Sequence, residues 1–177
     1  MRISEFLANK LISYGVRRYY VLPGGFSQNL NDAFYHSALE TVFALHESGA
    51  GFMACGESKY TGELAICLVT SGPGSTNLIT SVASAWNDSI PLLVISGEAK
   101  LDLIKLRTNL GLRAGGPQDV DIIRISRPIV KWNAIIESSK SAEYILDKAI
   151  NIAMADRRGP VWIAVPLDVA GGNYVEN

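Results

Sequence analysis

A chain of 177 residues, 48% hydrophobic and 19% charged, is long enough to bury one sizeable core and falls within the usual span of a single domain. Sixteen Lys plus Arg against seventeen Asp plus Glu leave a formal charge of -1 with no basic run, which argues against nucleic acid as a partner. The residues after Met1 enter an amphipathic pattern without a basic and apolar leader, and no apolar run approaches bilayer length, so the expectation is a soluble, cytoplasmic protein with no membrane segment.

Ser4 is the expected cap of a first helix in which Phe6, Leu7, Leu11 and Ile12 recur at helical spacing and which Gly15 closes. Residues 18–22 then read as a short strand stopped by Pro23-Gly24-Gly25, and residues 30–39 return to helical spacing. The alternation repeats, with 41–45 as strand, 47–60 as helix, 64–70 as strand, 76–86 as helix and 91–96 as strand. Residues 97–117 are irregular, with a short helix expected around Leu103. Residues 128–133 read as a fifth strand, 141–157 as a periodic helix through Ile145, Ala149, Ile152 and Ala153, and 161–165 as a sixth strand. Near-continuous apolar strands such as Leu92-Leu93-Val94-Ile95 need cover on both sides. The expected architecture is an α/β domain, a three-layer open sheet of about six mainly parallel strands with helices on both faces.

In such sheets ligands gather beyond the carboxyl ends of the strands. Three features fall there: Pro23-Gly24-Gly25, His46-Glu47 and Ser71-Gly72-Pro73-Gly74. Glu47 opens a helix whose next residues, Ser48-Gly49-Ala50-Gly51, are all small. As a structural residue it is a first-turn acid favoured by the helix dipole; as a functional one it is a carboxylate at the ligand edge. Glycines 49 and 51 favour the second reading, because glycine inside a helix costs roughly 1 kcal/mol against alanine and calls for close approach of a backbone or a ligand. The segment Thr70-Ser71-Gly72-Pro73-Gly74-Ser75-Thr76-Asn77 is either a plain strand-to-helix turn or a wall, poor in side chains, on which a planar ring can lie. It lacks the lysine of a phosphate loop and the spaced glycines of a dinucleotide fingerprint. Cys55 and Cys67 lie in apolar segments outside any ligand spacing and read as small buried hydrophobes, with no metal site implied.

The strings Tyr14-Gly15-Val16, Val21-Leu22-Pro23-Gly24-Gly25, His46-Glu47, Phe52-Met53-Ala54-Cys55-Gly56, Leu68 to Asn77 and Ala85-Trp86-Asn87-Asp88-Ser89-Ile90-Pro91 resemble, in order and spacing, the N-terminal pyrimidine-binding domain of the thiamine diphosphate-dependent acetolactate synthase and pyruvate decarboxylase family. Arg127-Pro128-Ile129-Val130-Lys131 and the run from Arg158 to Val169 resemble that domain's closing segments. The resemblance implies a thiamine diphosphate-binding fold over residues 1–170, with 171–177 as a polar tail or the start of a linker. It implies that Glu47 is the catalytic carboxylate, which hydrogen-bonds a ring nitrogen of the aminopyrimidine and favours the imino form that removes the thiazolium proton before attack on a 2-oxo acid. It places Pro23, Gly24, Pro73 and Asn77 at the cofactor, and Gly25, His46 and Gln118 on the substrate side.

Two departures mark the match. Acetolactate synthases typically show Phe-Gln-Glu where this chain has Pro117-Gln118-Asp119, so the glutamine carries over and its aromatic neighbour does not, and pyruvate is not carried over as the substrate. Family members also hold the diphosphate through magnesium at a Gly-Asp-Gly motif on a separate domain, and these 177 residues contain no Gly-Asp-Gly. The resemblance therefore implies thiamine diphosphate and magnesium as cofactors, with the metal site on a diphosphate-binding domain or subunit. It further implies a homo-oligomer, dimer or tetramer, and an isolated chain that does not turn over. The alternative is a non-catalytic assembly or binding module that kept the fold.

Overall fold

The computed structural model describes residues 1–176; Asn177, the end of the expected tail, lies outside the described residues. Its elements in chain order are α1 (Ile3–Ser13), β1 (Arg18–Val21), a 3-10 turn (Gly25–Ser27), α2 (Gln28–Tyr35), β2 (Glu40–Phe43), α3 (Glu47–Thr61), β3 (Ala65–Thr70), α4 (Pro73–Asn77), α5 (Ile79–Asn87) and β4 (Leu92–Glu98). There follow α6 (Leu101–Leu110), α7 (Ile122–Ser126), a second 3-10 turn (Arg127–Ile129), β5 (Trp132–Ile135), α8 (Ser139–Met154), β6 (Val161–Pro166) and α9 (Leu167–Gly171). The six strands form one sheet in the order β2-β1-β3-β4-β6-β5, and every neighbouring pair is parallel. Among the described residues no helix is long and apolar enough to cross a membrane.

The two-residue alternation of strand side chains divides the core in two. From β3, Ile66 and Leu68 join Leu93 and Ile95 of β4 and Val161, Ile163 and Val165 of β6 beneath α1, α2, α8 and α9. From the same strands, Cys67 and Val69, Leu92 and Val94, and Trp162 and Ala164 face the other way, against α3, α5 and α7. Both sides of the central strands are thus dry, and Leu92, Leu93, Val94 and Ile95 are fully buried. Each such side chain contributes roughly 1.5–3 kcal/mol of burial free energy, which is why these strands tolerate an unbroken apolar run.

After β1 the chain moves outward to β2, and after β2 it crosses back to β3 on the other side of β1. The crevice between the ends of β1 and β3 is therefore a topological switch point, where the loops diverge and leave room for a ligand. Two close approaches shape it. Gly97, at the end of β4, lets the 3-10 turn lie on the strand: a Cβ there would stand 2.4 Å from the Phe26 carbonyl oxygen and 2.4 Å from the Ser27 Cα. Gly51 does the same for helix packing, since a Cβ there would meet the Ser81 side chain of α5 at 2.0 Å.

Several expected elements are revised. Ser4 is not the cap of α1: Arg2 takes that position, its backbone N–H donates to Glu5 at 2.8 Å, and Ser4 is buried as the second residue of the helix, its hydroxyl without a partner among the described residues. The helix expected over 76–86 starts at Pro73, where the missing N–H costs nothing, and is interrupted at Leu78 into α4 and α5. Pro128 lies in a 3-10 turn and β5 begins only at Trp132, because proline cannot donate to the ladder. Strand β4 runs two residues past its apolar stretch, to Glu98. The residues after β6 form α9, and Tyr174 stacks on Phe6 with ring centroids 3.8 Å apart.

The glycines give a direct test. Gly97→Ala forces a backbone shift and is expected to lower stability by roughly 1–3 kcal/mol in urea titrations, the usual cost of overpacking. Gly56→Ala, on the exposed side of α3 with nothing within 4 Å of the new methyl, is expected to raise it by roughly 0.5–1 kcal/mol. Equal effects at the two positions would remove the close approach at Gly97 as the reason for its glycine.

Candidate active site at the carboxyl edge of the sheet

Glu47 is the first residue of α3, four residues beyond the end of β2, and it is buried. Its side chain is fixed from the neighbouring loop: Asn77, the last residue of α4, donates from Nδ2 to Glu47 Oε2 at 3.0 Å. The other oxygen, Oε1, has no hydrogen-bond partner among the described residues. It faces Gly74, whose added Cβ would stand 3.5 Å away. A carboxylate held by one oxygen and free at the other is placed to accept from, or exchange a proton with, a bound group.

The wall beside it centres on Thr70. A Cβ at Gly74 would meet Thr70 Cγ2 at 2.7 Å, and one at Gly24 would meet it at 2.4 Å. The Thr70 hydroxyl accepts the backbone N–H of Phe26 at 3.1 Å, and its carbonyl accepts from Ser75 Oγ at 2.9 Å. The Pro23-Gly24-Gly25 loop and the turn after β3 are thereby brought together over one side chain. Gly72, with φ +64°, lets a third segment in: a Cβ there would be 2.1 Å from the Gln118 carbonyl oxygen. Gln118 itself has φ +58°, a left-handed conformation that a non-glycine residue holds only when its surroundings impose it.

His46 caps α3. Its Nδ1 accepts the Ser48 backbone N–H at 3.2 Å, so the neutral ring carries its proton on Nε2, and the side chain is exposed. Pro23, Gly25, Pro73 and Gln118 are exposed at the same edge. Of the glycines that pointed to this helix, Gly51 is explained by α5, whereas Gly49 has open space around it.

At the switch point, then, a carboxylate fixed by an amide lies beside Gly74. The family described as "Thiamine pyrophosphate enzyme, N-terminal TPP binding domain" matches residues 1–125. The chain belongs to this family. The acetolactate synthase isozyme 3 large subunit of Escherichia coli (strain K12) is 38% identical over 167 residues, covering 94% of this chain and 28% of that protein. The acetolactate synthase of Arthrospira platensis is 36% identical over 167 residues, 92% of this chain and 28% of the relative, and the mitochondrial acetolactate synthase catalytic subunit of Aspergillus candidus is 34% identical over 169 residues, 95% and 23%. The chain thus spans about a quarter of the length of the curated relatives it matches.

The residues of this thiamine pyrophosphate enzyme domain fit the aminopyrimidine half of the cofactor. A planar nitrogen heterocycle needs a polar partner at its edge, and Glu47 Oε1, beside Gly74 and free of protein hydrogen bonds among the described residues, is placed to supply it. Among the described residues no group of three or more His, Cys, Asp or Glu is placed to hold a metal ion. Cys55 and Cys67 are both buried, and burial pushes the Cys55 thiol up to about 11 and the Cys67 thiol up as well, so neither is a nucleophile at neutral pH.

Sequence reasoning missed the buried polar cluster behind the wall. Ser96 and Glu98 lie two residues apart on β4 and share a face. Glu98 accepts from Ser96 Oγ at 2.5 Å and from Ser71 Oγ at 2.7 Å, and Trp162 of β6 donates from its indole to Ser96 at 2.9 Å. Nearby, Arg107 of α6 pairs with Asp119, which also accepts the Gly115 N–H at 2.7 Å, and both ion-pair partners are buried. The signal was a carboxylate directly after Leu92-Leu93-Val94-Ile95-Ser96-Gly97, where the strand continues into the ligand edge.

Burial pushes the Glu98 carboxyl up to about 7; the hydroxyls of Ser96 and Ser71 oppose this, Asp119 adds to it and Arg107 opposes it. A folded-state value above the ~4.3 of an exposed glutamate means that the fold binds this proton more tightly than the unfolded chain does. The stabilisation is complete below ~pH 4.3 and is lost as pH rises to about 7, a change of roughly 3–4 kcal/mol. Glu98→Gln removes the dependence. In urea titrations its unfolding free energy, relative to the unsubstituted chain, is expected to rise by about that amount between roughly pH 4 and pH 8. A difference that stays flat would show that the fold binds the Glu98 proton no more tightly than the unfolded chain does.

Proposed function

We propose that this chain is the pyrimidine-binding part of an acetolactate synthase-like enzyme, a thiamine diphosphate-dependent 2-oxo acid decarboxylase or carboligase, with Glu47 as the residue that exchanges a proton with the cofactor's ring. One observation carries the reading: Glu47 is buried at the switch point with Oε2 committed to Asn77 and Oε1 facing the Gly74 wall. A surface acid at a helix start has neither the amide partner nor the burial.

When bound, thiamine diphosphate supplies the stabilised carbanion that attacks a 2-oxo acid. Glu47 would donate its carboxyl proton to the ring nitrogen and take it back; Asn77 keeps the carboxyl group aimed, and Gly24, Pro23 and Pro73 would shape the surface on which the ring rests. Gly25, His46 and Gln118 line the side on which the 2-oxo acid enters. This division suits the domain of residues 1–170, which meets the neutral half of the cofactor. The diphosphate, with magnesium, is held by a diphosphate-binding domain or subunit supplied from elsewhere, within a homo-oligomer that works in the cytoplasm. The support for a separate diphosphate site is the match to an N-terminal domain of the family and the absence of Gly-Asp-Gly from these residues.

Two outcomes are expected. Calorimetry of the 177-residue chain with thiamine diphosphate and magnesium gives weak binding at best, because the strongest electrostatic anchor, metal-bridged phosphate, is not among these residues; a tight, magnesium-dependent complex contradicts the assignment. In the completed enzyme, Glu47→Gln keeps the size and one acceptor oxygen but cannot exchange a proton, so deuterium exchange at the cofactor's reactive carbon slows about a hundredfold to ten-thousandfold at saturating cofactor. Equal exchange in the two proteins returns Glu47 to a structural role and favours an assembly module.

A further inference from the structure

Behind the wall, three segments meet at one hydroxyl. Ser71 Oγ lies 2.7 Å from Glu98 Oε2 and 3.3 Å from the Gln118 carbonyl oxygen, and it has a single proton to give. We propose that Glu98 is a positioning residue that, through Ser71, ties the Gln118 turn to the wall beside Glu47, and that the proton on Glu98 decides which of the two acceptors Ser71 serves. This assignment rests on the reading of Gln118 as a substrate-side residue.

The hydrogen-bond inventory supports the coupling, with the carboxyl proton placed on Oε2. When Glu98 is ionised it only accepts, so the Ser71 proton is drawn to the carboxylate and the Gln118 carbonyl keeps the longer contact. Protonated on Oε2, Glu98 donates to Ser71 Oγ, and the Ser71 proton turns wholly to Gln118. The other carboxyl oxygen stays against Ser96, whose hydroxyl also accepts the Trp162 indole, so that indole senses the same proton from the far side. The Gln118 turn has reason to need the tie: its φ of +58° is imposed from outside, and its carbonyl fits only because Gly72 has no side chain.

The charges that face Glu98 are those of Asp119, in the same segment as Gln118, and Arg107 on α6; the groups from the turn after β3, from β4 and from β6 are the neutral Ser71, Ser96 and Trp162. Asp119 and Arg107 are paired with each other, so the anchor of the segment is itself neutral overall and Glu98 carries the titratable charge of the cluster near neutrality. Protonation tightens the Gln118 turn against the wall, and ionisation loosens it. The substrate side of the site is thereby set by a group buried behind it.

The test uses the 177-residue chain without cofactor, labelled with carbon-13 and nitrogen-15. The Trp162 indole N–H and the Gln118 carbonyl carbon are expected to shift with a common midpoint near pH 7. Glu98→Gln abolishes both shifts. Ser71→Ala leaves the indole shift in place and removes the carbonyl shift, which a merely structural role for Glu98 does not produce. Signals that stay constant across the neutral range, that still titrate in Glu98→Gln, or a Gln118 carbonyl that still follows pH in Ser71→Ala overturn the proposal. Because no turnover is read, failure here speaks against Glu98 alone. Unchanged proton exchange in Glu47→Gln, with the coupling intact, speaks against the thiamine diphosphate reading alone.

Discussion

The ligand edge hangs on the side chain of Thr70. Its methyl touches what would be the side chains of both Gly24 and Gly74, its hydroxyl accepts the Phe26 N–H, and its carbonyl holds Ser75. Those contacts clamp the loop after β1 to the turn after β3 across the switch point, and they set the height of α4. Asn77 stands at the end of α4, so its reach to Glu47 depends on the same clamp. A threonine suits the position because one branch packs and the other bonds; a larger side chain would push the two glycine loops apart, and valine would leave the Phe26 N–H without its acceptor.

The fold was legible wherever one physical signal dominated. The apolar runs of β3, β4 and β6 announced strands covered on both faces, and the periodic row through Ile145, Ala149 and Ala153 announced α8. Legibility failed where tertiary contacts choose the conformation. Around Leu103 the expected short helix is present as α6, but its bounds could not be read, because only Ile104 and Arg107 are buried in it, too few for a periodic signal. Ser4 carried the composition of a cap, yet the Arg2 to Glu5 bond satisfies the helix start and burial takes Ser4 inside. Pro128 belongs to a turn because the strand can start only where a donor is available.

The site was half legible for a similar reason. Glu47 stood out because a carboxylate followed a strand and preceded small residues, and the structure places it against Asn77, thirty positions on. The glycine argument divided: Gly51 answers to helix α5, while Gly49 meets nothing within the chain. His46 is bound into the helix cap through Nδ1, so any part it takes on the substrate side is left to Nε2. The Arg107 to Asp119 pair and the Glu98 cluster could not be read from spacing, since their members come from segments that meet only at the sheet's carboxyl edge.

Two glutamates at that edge show how one fold gives the same side chain opposite tasks. Glu47 sits where a helix begins, keeps one oxygen free of hydrogen bonds among the described residues, and turns that oxygen toward Gly74. Glu98 sits at the end of a central strand, with both oxygens bound to hydroxyls and no access to the cleft side of the wall. The first arrangement leaves capacity for a ligand; the second uses all of it within the protein. A carboxyl with every contact internal can change only the shape of what it holds, and what Glu98 holds is the Ser71 to Gly74 turn on which the Glu47 side of the cleft is built. The chemistry proposed for Glu47 and the positioning proposed for Glu98 thus act on opposite faces of one short turn.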